Sequence, residues 1–587
     1  MVFSFNLYSK GSGYQATFRR RNMHKMRLYM GGELEKERFR YGATTLLNHV
    51  NPYTKLAWKD DPAIVLVEYY NEQYLGMGRY AEAARQFPED HKFVLSVWNR
   101  WLKNRYANVP RARWPEPLRK AGDGLVEIPD RKSPLINDYS IFCYERIKET
   151  NRWCESVIRA AGYKGLTTEN CERQLNSAAA GWETLQVTDN HVYFCHPTNW
   201  FLVGSMVNQS SAIGQAAGYF RNLAGGRLAG RPQFVGEFNF CFWNPYQYEA
   251  GLVFNAYAAY QNFSSLAIHS HPVLNRGGDM QIQNFSSGSN PILRAAQFLS
   301  NMLFLRGDVT PSKKLVALTI PKEFLESDGN GMRAPSGEQT KLALMSGFSL
   351  AFPWAPTPKG ISAGRTPDLA VLPTGAADVE IHGWFTNVSE RTVGGKFSLD
   401  RTVKEMKMRG ILPQNNISAP SKGIFQSDTG ELTMRVREKL LKVVTPRTEA
   451  VAMAEGKAER LGAVSVLKNS TRGCVGVTSI DALPLPESRR MVIVYATEVV
   501  NSGMELGAGR ARLVKPGSGP GLLRTGEFTL SIQNRNGGTW KLYALTLAGE
   551  REEELPVEYR NGALTLSVNT AKLKGANTPF FELVRVE

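Results

Sequence analysis

The sequence predicts an α/β protein whose second half is rich in antiparallel β-structure, and three observations carry that reading. Up to about residue 305, short apolar runs alternate with stretches whose apolar residues recur every three or four positions, the rhythm of strands and helices laid over a parallel sheet. Beyond about Leu315 the runs shorten and alternate in polarity between Gly, Pro, Asn and Asp turns. Finally, 42% hydrophobic and 21% charged residues over 587 positions supply large cores, which excludes a disordered, collagen-like or disulfide-scaffold chain.

The strands expected in the first half are Val2–Leu7, Ala63–Tyr70, Gly165–Thr168, Thr184–Tyr193, Gln233–Phe240 and Ser265–His269. Tyr139–Ala161 and Tyr248–Tyr260 have helical apolar spacing. In the second half, Lys314–Ile320, Leu369–Leu372, Ala463–Leu467, Arg490–Thr497, Glu527–Ile532 and Ala563–Val568 read as strands of one or two β-sandwiches. The expected division is a catalytic region over 1–310, a β-rich linking region over 311–426 with loops from Ser327 to Ser427, and an accessory sandwich over 427–587. Glu431 and Glu449, inside that sandwich, are expected to be solvated.

Lys and Arg number 71 against 54 Asp and Glu, a net charge of +17, and such a surplus attracts polyanions by its long-range field. The local clusters (Arg19–Arg21, Lys25 with Arg27, Arg111 with Arg113, Arg435–Lys442) read as solvated faces, and no nucleic-acid-binding motif accompanies them. No apolar run approaches the roughly 18 residues of a membrane span. Six scattered cysteines without a C-x-x-C pair are expected to be buried and mostly outside disulfides, with no zinc site. The first residues lack the basic, apolar and small-residue segments of an export signal. Neither a nucleophile elbow, a phosphate-cradling Walker loop nor a dinucleotide fingerprint is present, so no cofactor is implied.

Chemistry concentrates at strand ends. Asn71 and Glu72 close the run from Ile64, and Glu237 closes the run from Pro232; in a βα barrel, catalytic groups sit at such positions. Two carboxyl groups facing one cleft are the minimum apparatus for splitting a glycosidic bond, because one must protonate the leaving oxygen while the other attacks or stabilises the sugar cation. Between them, His191 and Tyr193 are two apart and point to one side of a strand. Taken singly, each of these residues has an ordinary structural use, as a helix cap, an ion-pair partner or a core histidine. Trp200, Trp243, Tyr246 and Tyr74 are candidate stacking surfaces for sugar faces, and His269 and His271, at the end of the last strand expected in the first half (the eighth of a complete barrel), are candidate sugar contacts. Glu249 falls in the following helix, and Glu68 is expected to be paired in the interior.

The stretch Leu47-Asn-His-Val-Asn-Pro-Tyr-Thr-Lys-Leu-Ala-Trp-Lys-Asp-Asp-Pro-Ala-Ile-Val-Leu-Val-Glu-Tyr-Tyr-Asn-Glu resembles the approach to the acid/base in glycoside hydrolase clan A, the retaining (β/α)8-barrel (TIM-barrel) glycosidases that include cellulases, mannanases and β-galactosidases. In that clan an Asn-Glu pair closes the fourth strand, a His-x-Tyr lies at the sixth and a Glu nucleophile ends the seventh; Asn71-Glu72, His191-x-Tyr193 and Glu237 follow that order. The resemblance implies that Glu72 is the acid/base, Asn71 a ligand of the sugar 2-hydroxyl, Glu237 the nucleophile, and His191 and Tyr193 supports for the nucleophile. It implies a β-glycan substrate, anionic or neutral. It also implies that Val2-Phe-Ser-Phe-Asn-Leu-Tyr is the third strand, so that the first two βα units are missing: either the chain is truncated, and the parent is then secreted or periplasmic, or the barrel is open and completed by a partner. The segment from Ser427 to Gly503 resembles a sandwich domain found behind the barrel in large bacterial enzymes of the clan. A non-catalytic carbohydrate-binding or scaffold protein on a degenerate barrel is the alternative expectation.

Overall fold

The structure is a computed structural model and describes residues 2–4, 18–72, 87–122, 124–169, 173–270, 281–373, 375, 378–380 and 397–586. In its first half lie β1 (Val2–Ser4), β2 (Leu66–Glu68), β3 (Leu166–Thr168), β4 (Thr188–Phe194), β5 (Gln233–Phe240) and β6 (Ser265–Ile268), each inside a stretch expected from the sequence except β4, which runs one residue past its expected end at Tyr193. All their pairings are parallel, in two ladders of order β1-β2-β3 and β4-β5-β6. Between β3 and β4, side chains take over from ladder bonds: Thr168 Oγ1 donates to Val187 O at 2.7 Å, and Gln186 Oε1 accepts from Thr167 N at 3.1 Å. Leu66, Val187 and Phe234, with Ala267, pack together, so the two ladders share an apolar cluster. Among the described residues the six strands form two ladders rather than a closed barrel.

The helices that position these strands follow from local sequence. α1 (Phe18–Tyr29) and α2 (Glu33–Asn48) precede β2. α3 (Pro88–Tyr106) opens on a proline with Glu89 and Asp90 in its first turn and closes with Lys103 and Arg105, a match to the helix dipole. α4 (Ile136–Ala160) buries Tyr139, Phe142, Cys143, Ile147, Cys154, Val157 and Ile158, one helical stripe. α5 (Ala250–Tyr260) is buried at every position, as befits a helix lying between the parallel strands and the second half. α6 (Pro291–Ser300) is capped by Asn290, whose side chain accepts from the amides of Ile292 and Leu293 at 3.0 and 3.1 Å. Among the described residues no helix is long and apolar enough to cross a membrane, and the five described cysteines are all buried, with no disulfide among them.

The linking region differs from its expectation. Leu315–Thr319, Gly347–Ala351 and Leu369–Val371 make a parallel sheet with the first of these strands in the middle, not part of an antiparallel sandwich. Val316, Ala317 and Leu318 are at most 1% exposed, the continuous burial of a central parallel strand. Much of the span expected as loop is likewise ordered, including Leu399–Met408, a helix capped by Ser398.

From Ile424 onward, a nine-stranded and a five-stranded antiparallel sheet enclose an apolar core of Val451, Val475, Ile493, Phe528, Leu530, Leu566 and Phe581, among others. Glu449 is buried rather than solvated as expected, and Glu431 is only partly exposed. Glu449 is 5% exposed and accepts from the amides of Gly462, Ala463 and Val464 at 2.9, 2.7 and 2.8 Å. Glu431 accepts from the amide and hydroxyl of Thr310, both at 2.7 Å. Each carboxylate replaces hydrogen bonds that a turn or chain crossing leaves unmade, which pattern-reading alone does not reveal.

Candidate active site

Glu72 sits just beyond β2 in the left-handed backbone region, φ 57°, and is 6% exposed. The backbone is held there from below. Lys25 of α1, 0% exposed, donates from Nζ to the carbonyl of Glu72 at 3.1 Å and also to that of Asn71. The ammonium additionally faces the Tyr70 ring at 5.3 Å from its centroid. Lys25 was expected on a solvated basic face; instead it is an internal strut, because two strand-end carbonyls supply the acceptors that a buried ammonium requires.

Glu237 reaches the same space through a bulge. In the β4–β5 ladder Asp189 pairs with Phe234 and His191 pairs with Glu237, so β5 carries one residue more than β4 over this interval. The extra residue changes which side chains face inward. Phe234 belongs to the interior cluster, whereas Val235 and Phe238 face the helices, the Phe238 ring stacking on Phe254 of α5 at 4.2 Å. Glu237, three residues after Phe234, then joins the interior side, where the Tyr193 hydroxyl donates to its Oε2.

His191 stands between the two carboxylates, its side chain 4% exposed, with Nδ1 3.1 Å from Glu72 Oε1 and 3.8 Å from Glu237 Oε1. One oxygen from each glutamate and the imidazole nitrogen all lie within 4.8 Å of one another. Burial by itself favours neutral imidazole, but the hydrogen bond to Glu72 and the charges of Glu237 and Asp189 outweigh it and lift the His191 pKa to about 10. Burial and the adjacent Glu237 push the Tyr193 phenol far above its ordinary range, so it remains a donor. A second triplet, Glu68, Asp189 and His191, is equally close. In both triplets the imidazolium supplies the positive charge that the carboxylates need, and no metal centre is assigned.

His269 lies at the rim with Nδ1 3.4 Å from Glu237 Oε2. Phe285 links the site to an outer aromatic wall: its ring is 5.4 Å from Tyr193, 5.1 Å from His269, 5.6 Å from His196 and 5.7 Å from Trp200. Trp200 is 50% exposed and offers an open face. Trp243, by contrast, is 1% exposed, packs on Phe201 and donates its indole N–H to Arg510 O at 3.0 Å; it is a core residue and has no free stacking face. Tyr246 is turned toward the second half, where Lys439 donates to its hydroxyl at 2.8 Å and Lys439 and Arg472 lie against its ring. His271 and Tyr74 fall outside the described residues. Glu249 is fully buried away from the two glutamates, accepting from Ser211 Oγ at 2.7 Å and Ile213 N at 3.0 Å.

Sequence reasoning missed four contributors. Asp189 was passed over although it lies two residues before His191 and so on the same strand face; that spacing was the available signal. Lys25 and His196 had no signal beyond residue type, and Phe285 sits in a polar loop.

No protein-family model matches this chain, and no curated protein sequence does. Among solved structures it is similar to an endo-β-1,4-mannanase from Thermotoga petrophila, with 11% identity over 50% of this chain and 56% of that one, at a TM-score of 0.27. A hyperthermostable endo-1,4-β-D-mannanase from Thermotoga petrophila RKU-1 matches with 12% identity over 47% of this chain and 67% of that one, at 0.25. A cold-adapted β-galactosidase from Rahnella sp. R3 matches with 11% identity over 92% of this chain and 82% of that one, at 0.31. The chain thus spans little more than half the length of the first mannanase. All three neighbours are glycoside hydrolases, but similarity this low carries no argument about fold or reaction.

Proposed function

We propose that this protein is a retaining glycoside hydrolase that cleaves β-glycosidic bonds of an oligo- or polysaccharide by double displacement. The observation that carries the reading is the convergence of Glu72 and Glu237 on one buried imidazole, with a carboxylate oxygen of each inside a 4.8 Å circle. That closeness favours retention, for which the carboxyl groups stand about 5–5.5 Å apart; inversion needs about 6.5–9.5 Å to admit a water.

In the proposed mechanism Glu237 attacks the anomeric carbon from one face while Glu72 gives its proton to the departing glycosidic oxygen. The Glu72 carboxylate then draws a proton from an incoming water, which displaces Glu237 and restores the anomeric configuration. The Tyr193 hydroxyl orients Glu237, and His191 offsets negative charge as it passes between the glutamates. Trp200 provides a platform for a sugar ring at the mouth.

The test is a panel of aryl β-glycosides and β-glycans with the two alanine variants. Glu237→Ala should lose turnover on every substrate, whereas Glu72→Ala should still release an activated aryl group once. Azide should rescue Glu72→Ala as a β-glycosyl azide and Glu237→Ala as the inverted α-azide. Near-normal rates in both variants on an unactivated substrate would overturn the assignment. That the strands among the described residues form two ladders rather than one favours a second reading, a carbohydrate-binding protein without turnover; glycan binding with no hydrolysis by the intact protein would establish it.

A further inference from the structure

Beneath His191 lies a carboxylate that the mechanism above does not use. Asp189 is fully buried; its Oδ1 accepts the amide of Gly236 at 2.8 Å. Its Oδ2 is also buried, has no hydrogen-bond partner among the described residues, and lies 4.0 Å from His191 Nε2. The β5 bulge places Gly236 directly against this pair: a Cβ there would come within 2.5 Å of His191 Nε2 and 2.8 Å of Asp189 Oδ2. The bare glycine is what lets the carboxylate and the ring occupy the same layer.

We propose that Asp189 is a positioning residue that fixes the Nε2 edge of His191, so that the Nδ1 edge is held between Glu72 and Glu237. Its consequence for catalysis rests on the glycosidase reading; its geometry does not. A carboxylate in a site this dry is expensive unless a cation faces it, and the imidazolium is the cation at hand. Burial correspondingly pushes the Asp189 carboxyl up, and His191 pulls it back.

The charged and titratable groups that bear on the ring are Glu68 from β2, Glu72 just beyond it, Asp189 and Tyr193 from β4, Glu237 from β5 and His269 after β6. Lys25 lies behind Glu72, bonded to its carbonyl. With Asp189 ionised, the proton stays on the ring. When Glu72 gives its own proton to the leaving oxygen, the new carboxylate then meets an imidazolium N–H already 3.1 Å away. No bond to Asp189 forms or breaks; it acts only through the orientation and charge of the ring.

Asp189→Asn keeps the acceptor for the Gly236 amide and removes the charge. In full-length protein labelled at histidine, the His191 titration followed by NMR should fall by one pH unit or more, which is a tenfold change in proton affinity. On an unactivated β-glycoside kcat should fall about tenfold, KM should change less than threefold, and the pH–rate profile should move. In a His191→Asn background the same substitution should cost nothing further. An unmoved His191 titration, or losses that simply add in the double variant, would overturn the proposal. The unsubstituted protein provides a check that needs no variant: nitrogen shifts of a neutral His191 ring at pH 7 would also overturn it. Should no substrate be cleaved while the titration moves as expected, the positioning role stands and the glycosidase reading fails alone.

Discussion

In the C-terminal sandwich, Glu527–Gln533 and Ala563–Asn569 turn Phe528, Leu530 and Ile532, and Leu564, Leu566 and Val568, inward at every second residue. The residues between them face outward, and the inside is apolar. In the parallel arc, the inward positions of β2, β4 and β5 instead gather Glu68, Asp189, His191 and Glu237 around a small apolar floor of Leu66, Val187 and Phe234. The first arrangement gains stability from area removed from water. The second places mutually compensating charges where water is scarce, which is costly for stability and useful for chemistry. Stability and activity should therefore respond to substitutions in different halves of the chain.

The largest separation is expected at the glutamates. Glu237→Ala should lower kcat on an unactivated β-glycoside by at least about 10⁴-fold, in the range seen when a nucleophile is removed, with a melting temperature close to that of the parent. Glu431→Gln and Glu449→Gln together should leave kcat within a factor of two and lower the melting temperature, because Glu449 accepts three turn amides. A loss of kcat beyond tenfold in that pair, with the fold intact, would break the division.

Next in size is Phe528→Ala. Its ring is fully buried, 4.5 Å from that of Tyr495 and 5.5 Å from that of Phe581, and its truncation should cost about 3–5 kcal/mol in urea unfolding. Initial rates below the melting range should be unchanged.

Glu249 sharpens the comparison from within the first half, since it is buried there away from the two glutamates. Burial raises its pKa to about 7, only partly opposed by Ser211 and the amides of Ile213 and Ala212. A carboxyl whose folded pKa exceeds its unfolded one binds more protons when folded. Its contribution to stability is thus full below about pH 4.5 and is lost as pH rises through 7, by at most about 3 kcal/mol. Glu249→Gln should flatten that part of the stability curve between pH 5 and 8. An unchanged slope would mean that the carboxyl is not the group responsible.

Lys25→Met tests the strut under Glu72. It removes the donor to the two strand-end carbonyls while keeping most of the side-chain volume. The expected result is about a tenfold fall in kcat, near 1.4 kcal/mol in the barrier, with KM changed less than threefold. Equal changes in kcat and stability with no kinetic selectivity would reduce Lys25 to a packing role.

The contrast between the halves also explains what the sequence disclosed. Period-two alternation exposed Glu527–Gln533 and Ala563–Asn569 to within one residue, because each has one dry face and one wet face, whereas strands buried on both faces, such as Thr448–Met453 and Gly473–Ser479, were not singled out. The six parallel strands were equally visible as apolar runs, but their facing was not. Strict alternation from the interior residue Phe234 puts Glu237 on the helix side, and only the bulge at Val235–Gly236 turns it inward. The linking strands were assigned to the wrong kind of sheet because a short, wholly buried run reads alike in parallel and antiparallel settings. Lys25 looked like surface because lysine usually is, and Trp243 looked like a sugar platform because exposure cannot be read from residue type. At the candidate site, pairs on one strand were legible, whereas contacts supplied by another element, such as Lys25 and Phe285, were not.

The smallest expected effect concerns the net charge, which is also unevenly divided. Residues 427–587 hold 22 Lys and Arg against 18 Asp and Glu, a surplus of 4, so 13 of the +17 lies in residues 1–426 with the candidate site. If the substrate is an anionic β-glycan, that field raises its local concentration without touching the bond-breaking step. Raising sodium chloride from 20 to 500 mM should then increase KM a fewfold and leave kcat alone, since the Debye length shrinks from roughly 20 Å to well under 8 Å over that range. A neutral β-glycan should show no trend. Arg535→Glu with Lys541→Glu, a reversal confined to the sandwich surface where both side chains are at least 38% exposed, should leave the salt dependence as it was. A salt trend that disappears in that double variant would place substrate capture on the sandwich instead, and the assignment of binding to one half and stability to the other would have to be redrawn.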